Sequence, residues 1–504
     1  MKILSAEQIR NLDEYTIKNE PVLSIDLMER ASEELYWSIL TEINPDQKII
    51  FICGPGNNGG DGYAIARKMI QAEFDCLIYG ISNVSLSADA AINRSRLADL
   101  ASDKIINLEN DLIPEINAQD IVIDALFGTG LNRKVESYYA EIINYINRSG
   151  ATIFSIDIPS GLFTDRNNDD EDAIIKAHKT FTIQVPKLSF MLCENQKYLG
   201  DWSVLNIGLS EAFISSQNCN HFYLEKEDIK PLIKHRDKIA HKGNFGHALI
   251  WAGAYGKVGA AVMSASACMR IGAGLSTAYI PGCAYEIMQT VLPEIMVLSD
   301  NNKKYLSNAP DTSIYNSIGA GPGIGNQLST RDALINLLKH FRKPMVLDAD
   351  ALNLLAAHPD MMELITPNSI LTPHPKEFER LSGKAMNDFD RLEKASTFAQ
   401  DYSCILVLKS AITSIHTPEG EVFFNSSGNP GMAKGGSGDV LCGILTGLLA
   451  QGYQPLSAAK IGVFIHGLAA DLALEKSSLY SLSPMDIISA IGKAYNYIQE
   501  NESW

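Results

Sequence analysis

Asp439 is the residue around which chemistry is most easily built, because it follows a run of glycines and opens an apolar helical pattern. It lies in GNPGMAKGGSGDVLCG, residues 428–443, where Gly435, Gly436 and Gly438 precede it. After it, Val440, Leu441, Ile444, Leu445, Leu448 and Leu449 recur at helical spacing, which predicts a helix from about Asp439. Glycines reach positive φ and admit a ligand close to the backbone, so the amides of 435–438 can converge where a helix N-terminus is already partly positive. Such a corner binds anions. A carboxylate beside it is suited to taking a proton from a hydroxyl that attacks a bound phosphoryl group. The simpler alternative is that Asp439 only caps its helix, which Asp does well.

A second constellation lies near the N-terminus. In KIIFICGPGNNGGDGYAIARKMI, residues 48–70, a buried strand runs through a glycine-rich loop into a helix. Gly54, Gly56 and Gly59 match the spacing of a dinucleotide turn, but the next strand, CLIYGISN, ends without the carboxylate that would hold a ribose. The loop instead offers Asn57, Asn58 and Asp61. Two later strand ends add polar groups to the same sheet edge: Asp124, followed by FGTGLNRK, and Asp157, followed by IPSGL. Asn58, Asp124 and Ser160 can supply oxygen ligands to a cation, and Asp157 can act as acid or base on a bound ring. Taken singly, each is equally at home as a turn residue.

The elements that must position these groups alternate between strand and helix. Residues 1–45 read as two or three helices with Ser5 as an N-cap. Strands are predicted at 76–81, 120–127 and 152–158, separated by helical stretches, and this alternation gives a doubly wound α/β sheet with ligands at the carboxyl ends of its strands. A polar, irregular stretch places a boundary near 215–225. The pattern then restarts in HKGNFGHALIWAGAYGKVGAAV, with Gly259 and Ala260 at a helix entrance, and continues in SIGAGPGIG, PMVLDADALNLL and ILTPHPKEFERL. His374 sits between two prolines at a strand end, equally suited to structure and to ligand contact. ILVLKSAITSIHT and EVFFN form an antiparallel hairpin leading into the Asp439 segment.

Composition narrows the classes. With 46% hydrophobic and 20% charged residues over 504 positions, the chain is an ordinary globular protein of about two to four domains. The formal charge of −17 argues against a nucleic-acid footprint but not against small anions. No uninterrupted apolar run of about eighteen residues is present, and the N-terminus lacks a signal-peptide core, so no membrane partner and a cytoplasmic location are expected. The eight cysteines form no CxxC pair and read as reduced core residues.

GPGNNGGDG, Asp124, GTGLNRK and the Asp157-to-Gly161 segment resemble NAD(P)H-hydrate epimerase domains. LTPHPKEF, LVLKSAIT and GNPGMAKGGSGD resemble ADP-dependent NAD(P)H-hydrate dehydratase domains. The resemblance implies a Rossmann-like epimerase domain over 1–215 and a ribokinase-like dehydratase domain over 225–504. The expected substrates are NADHX, NADPHX and ADP, and a homo-oligomer is expected. The R and S hydrates would be interconverted in the first domain; the second would dehydrate the S form, with ADP giving AMP and phosphate. It further implies that Asn57, Asn58, Gly59, Gly60, Asp61, Gly128, Thr129, Gly130, Leu131, Asn132, Arg133, Lys134 and Asp157 hold the hydrate in the first site, with Asn58, Asp124 and Ser160 around potassium. In the second site Ala260, Gly323, His374 and Asp439 would face the hydrate, and Lys409, Ser410, Ala411, Ile412, Thr413 and Gly438 the nucleotide with its magnesium. Ser410 stands where the family has glycine, and His178 where it more often has aspartate. A competing reading is a ribokinase-like sugar or vitamin kinase carrying an N-terminal binding module, since the same anion hole and base would serve a hydroxymethyl group.

Overall fold

The computed structural model describes residues 1–499 apart from 21, 82–83 and 109–111. The Ser-Asn end of the second predicted strand and the last residues of the expected second domain lie outside the described residues. Two compact units divide the chain, one spanning Lys2–Cys219 and the other Asn220 onward together with Met1.

The first unit opens with two helices. Ser5 caps Ala6–Asn19 through a reciprocal pair of bonds with Gln8, and Ser24–Leu40 follows. Seven strands come next in the chain: β1 Ile49–Cys53, β2 Cys76–Ile81, β3 Ile105–Leu108, β4 Ile121–Ala125, β5 Thr152–Ile156, β6 Lys179–Ile183 and β7 Asp201–Leu205. They form one parallel sheet in the order β3-β2-β1-β4-β5-β6-β7. Every residue of β1 and β4 is buried, as expected for strands covered by helices on both faces. The order reverses between β1 and β4, and that is where a doubly wound sheet opens a crevice at its carboxyl edge. The loops after β1, β4 and β5 therefore share one rim.

The second unit adds β8 His221–Leu224, β9 His247–Trp251, β10 Leu275–Ile280, β11 Met296–Ser299, β12 Ser317–Ala320, β13 Val346–Leu347, β14 Ile370–Leu371, β15 Ile405–Leu408, β16 Ser414–His416 and β17 Val422–Asn425. The ten strands run β11-β10-β9-β12-β13-β14-β15-β16-β17-β8. The sheet is parallel from β11 to β15, and β16 pairs antiparallel with both neighbours. β8 corrects the reading of 215–225 as irregular: it forms the edge of the sheet, parallel to β17. Four residues flanked by polar ones are too few for a periodic signal.

Two apolar helices complete this unit. Ser437–Ala450 is buried from Val440 to its end. At Gly443 a Cβ would stand 2.1 Å from the Ser264 carbonyl oxygen, so glycine is what lets this helix lie against Val258–Arg270. Pro455–Ala473 is long and apolar enough by composition to cross a membrane, yet 72% of its apolar window is buried inside the protein, which marks a core helix.

Candidate active sites

At the carboxyl edge of the first sheet lies a cavity of about 500 Å³. Its lining includes Asn57, Asn58 and Asp61 from the end of β1, Gly128 to Arg133 from the end of β4, and Asp157 from the end of β5. The helix after β1 begins at Asn57, so the predicted loop residues NNGGD form its first turn. Gly59 and Gly60 are buried beneath the cavity: a Cβ on Gly59 would fall 2.0 Å from the Gly54 carbonyl oxygen. Their role is to let the turn pack. Lys134 is not among these lining residues; its ammonium pairs with Asp172 at 2.9 Å.

Asp124 is buried below the rim. Its carboxylate accepts hydrogen bonds from the Ser160 N–H at 2.9 Å, the Ser160 hydroxyl at 2.5 Å, the Ser155 hydroxyl at 2.8 Å and the Leu126 N–H at 3.3 Å. Register explains Ser155, which pairs directly across from Asp124. Burial raises the Asp124 pKa, and the Ser160 and Ser155 bonds oppose the rise. The Ser160 hydroxyl also lies 3.2 Å from the Phe127 carbonyl oxygen. Asn58 lies against Gly128, and its side-chain nitrogen is buried without a hydrogen-bond partner. Half a turn of that amide would present its oxygen instead. A carboxylate, a hydroxyl, a carbonyl and an amide oxygen form a donor set suited to a hard, weakly bound cation.

Asp157 takes a left-handed backbone conformation, φ 65°, where non-glycine residues sit only under constraint. The constraint comes from the turn after β6. The Asp157 carboxylate accepts from the Ile183 N–H at 3.0 Å and from the Lys187 ammonium at 2.5 Å. Lys187 is fully buried and also donates to the Thr182 hydroxyl at 2.6 Å and the Val185 carbonyl at 3.1 Å. Sequence reasoning did not single out Lys187; the available signal was one lysine inside the apolar run QVPKLSFML. Asp61 is buried with only a long bond from Ser32 among the described residues, and burial followed by the nearby Asp157 charge raises its pKa well above the usual carboxylate value.

In the second unit a cavity of about 710 Å³ is lined by His374, Lys409, Ser410, Ala411, Thr413, Ser437 and Gly438, with His466 and the 427–434 loop on its other walls. Ile412 turns away, its carbonyl accepting from the Ser410 hydroxyl at 2.5 Å. That bond folds Ser410 back onto its own loop and occupies its hydroxyl. The 428–431 turn is anchored by Asp471, which accepts from the Gly428 N–H and the Asn429 amide, both at 2.8 Å.

The helix predicted from Asp439 starts two residues earlier, at Ser437, after Gly436 in a left-handed conformation at φ 104°. Asp439 is therefore a first-turn residue and not the cap. The apolar periodicity marks where the helix becomes buried, not where it begins. The N–H groups of Gly438 and Asp439, in the first turn, have no acceptor within the helix. A Cβ on Gly438 would lie 3.1 Å from the Lys409 ammonium, which in turn pairs with the buried Asp348 at 2.8 Å. Burial alone would lower the Lys409 pKa, but the Asp348 carboxylate outweighs it and the pKa is raised. An ammonium beside free helix amides is an anion site.

The Asp439 carboxyl accepts no hydrogen bond from the described residues. Burial, then repulsion by Asp348, pushes its pKa up to about 7. Asp439, Ala260 and Gly323 do not line the larger cavity. Ala260 and Gly323 lie together, a Cβ on Gly323 falling 3.2 Å from that of Ala260. His374 both lines the cavity and caps Pro375–Ser382, its Nδ1 accepting from the Lys376 and Glu377 N–H groups at 3.2 and 3.3 Å. Its Nε2 lies 3.4 Å from a Glu377 carboxylate oxygen, and burial lowers its pKa while the Glu377 charge opposes that shift. His466 is a lining residue that the sequence did not reveal: its Nε2 is buried without a partner, and burial lowers its pKa to about 4. Among the described residues no three His, Cys, Asp or Glu side chains form a metal cluster.

Two family profiles match the chain: one described as NAD(P)H-hydrate dehydratase over residues 248–493, and one described as YjeF-related protein N-terminus over 24–189. The chain is similar to the bifunctional NAD(P)H-hydrate repair enzyme of Coxiella burnetii, at 34% identity over 95% of this chain and 96% of the relative. It is likewise similar to the enzyme of the same name from Escherichia coli, at 33% identity over 94% and 89%. Among solved structures, the ADP/ATP-dependent NAD(P)H-hydrate dehydratase from Bacillus subtilis, co-crystallized with ATP/Mg2+, matches 55% of this chain and 99% of its own, with 29% identity and a TM-score of 0.50.

Proposed function

The chain belongs to the family of bifunctional NAD(P)H-hydrate repair enzymes, and we propose that its first unit interconverts the R and S hydrates of NADH and NADPH while its second dehydrates the S form at the expense of ADP. The observation that carries the second activity is the unpaired Asp439 carboxyl beside the free amides of Gly438 and Asp439 and the Lys409 ammonium. Asp439 takes the proton of the hydroxyl on the hydrated ring, and the oxygen attacks the terminal phosphoryl of a nucleotide whose charge Lys409 and the helix amides stabilise. Phosphate then leaves where hydroxide would not, with its bonding electron pair, and the neighbouring ring carbon gives up a proton to phosphate or water so that the double bond returns. That exchange of a poor leaving group for a good one is why a dehydratase can be built on a kinase fold. Ala260, Gly323 and His374 would flank the hydrate. Magnesium, bound to the nucleotide, would supply charge neutralisation.

Recovery of 340 nm absorbance from a mixture of hydrate epimers tests the reading directly. The purified chain should restore reduced nicotinamide only when a nucleotide is added. ADP is expected to support a higher rate than ATP at equal concentration, with AMP and phosphate in equal amounts; a clear ATP preference would overturn the nucleotide assignment. Self-association into a homo-oligomer, measurable by sedimentation, and a cytoplasmic location belong to the same proposal. A ribokinase-like kinase would leave the Asp157–Lys187 pair and the oxygen-lined pocket of the first unit without a task.

In the first unit potassium would be held by Asn58, Asp124, Ser160 and the Phe127 carbonyl, supplying a fixed positive charge beneath the substrate. Asp124→Ala should abolish stimulation of R to S conversion by potassium. It should also weaken the first unit, since it leaves the buried Ser155 and Ser160 groups unpaired at about 1–3 kcal/mol each. Conversion with unchanged potassium dependence would reduce Asp124 to a turn residue.

A further inference from the structure

The carboxyl of Asp13 stands in the first cavity with nothing to hold. It projects from the Ala6–Asn19 helix, whose Ile9, Arg10, Leu12 and Asp13 form one wall, while Asp157 enters from the strand end on another. The helix is pinned at its start, where the Ala6 N–H donates to Asp165 at 2.7 Å. Asp13 itself accepts no hydrogen bond from the described residues, so nothing in the fold needs its charge. The groups around it are Asp157 and Lys187 from the sheet side, Asp61 from the helix after β1, and Glu14 and Arg10 on its own helix. Burial, then the Asp157 charge, raises the Asp13 pKa to about 7, with Lys187 opposing. Near neutral pH Asp13 is thus divided between acid and carboxylate, while the Asp157 carboxyl is engaged by the Lys187 ammonium at 2.5 Å. Two carboxyl groups in unlike environments are how one pocket keeps an acid and a base together.

Epimerisation of the hydrate calls for that division. Water adds to an electron-rich enamine at the carbon next to the ring nitrogen, so the hydroxyl sits on a carbon whose neighbour holds a lone pair. We propose that Asp13 is the proton donor and acceptor for this hydroxyl in the first unit. The Asp13 proton passes to the hydroxyl oxygen, and the carbon–oxygen bond breaks with its electron pair, releasing water. The nitrogen lone pair becomes a carbon–nitrogen π bond, and the resulting cation faces the carboxylates of Asp13 and Asp157. Water then adds to the other face of the carbon, the electrons of the π bond return to nitrogen, and the released proton returns to a carboxylate. Nothing is oxidised or reduced, and no co-reactant is consumed.

The inference rests on the epimerase reading, and one experiment separates the two. R to S conversion is followed by chiral chromatography from pH 5.5 to 8.5 in the full-length parent, Asp13→Asn and Asp13→Glu, after subtraction of the uncatalysed rate. The Asn variant should convert about a hundredfold or more slowly and lose the parent's near-neutral ionisation from its pH profile, and the Glu variant should recover part of both. Its melting temperature should equal or exceed the parent's, because no bond is lost and a buried like charge is removed. An Asn variant that converts at the parent rate, or slows yet keeps the near-neutral limb, overturns the role of Asp13 and leaves the epimerase reading standing. A parent that does not convert the epimers overturns both.

Discussion

Asp439→Asn is expected to slow dehydration of the S hydrate by about a hundredfold to ten-thousandfold, the range that loss of a general base costs. The replacement keeps the size and planarity of the side chain, and the carboxyl gives up no hydrogen bond within the described residues. Two ionisation signatures accompany the loss of rate. A base must be deprotonated to act, and burial with Asp348 nearby puts the Asp439 pKa at about 7. The parent's turnover should therefore rise with pH through about 7 and level off above it, and the Asn variant should lack that rise. The second signature is in stability. A carboxyl whose folded pKa is raised binds its proton more tightly when folded, so its contribution is fully present below pH 3.8 and is lost as pH climbs to about 7. The Asn variant escapes that loss and should melt at or above the parent temperature at pH 8. Dehydration at near the parent rate in a stably folded Asn variant would remove Asp439 from the mechanism, and with it the case that the anion site and the carboxyl act on one substrate.

What could be read from the sequence was what is local in it. The anion corner was legible because glycines, carboxylate and helix onset fall within one short stretch. Even there the helix start was misplaced: Ser437 and Gly438 carry no apolar signal, although the first turn already contains them. The loops after β1, β4 and β5 were legible for the same reason, since strand, turn and polar residue are neighbours. Lys187 was not. Its meaning depends on Asp157, thirty residues earlier, meeting it across the end of β6. Asp13 depends on a helix folding over a strand edge, and all that hints at it is a charge one step from Leu12 on the buried face that Leu12 and Thr16 share. Lys134 in GTGLNRK pairs with Asp172, a partner that no spacing predicts. Short strands such as β8 escape periodicity altogether, because four residues make only two alternations.

The largest effect on stability is expected from Lys187→Met, which removes the only cation bonded to the Asp157 carboxylate among the described residues. An ion pair buried this deeply gives little net stability while both members are present, because Coulomb attraction mainly offsets desolvation. Removing one member is different, since it leaves the other charged and uncompensated. The expected loss is about 3–5 kcal/mol, enough to unfold a marginal domain. The Thr182 hydroxyl and the Val185 carbonyl would lose a donor as well. The double variant Lys187→Met with Asp157→Leu supplies the control. With both charges replaced by apolar groups of similar bulk, most of the lost stability should return. Epimerisation should stay absent, because neither a held carboxylate nor its ammonium remains. Calorimetry of the three proteins, with nucleotide-dependent dehydration followed in parallel, decides between a catalytic and a purely structural pair. A double variant that regained R to S conversion along with stability would show that Asp157 and Lys187 serve only to shape the turn after β6, and that the chemistry of the first cavity is carried by its other carboxyl groups.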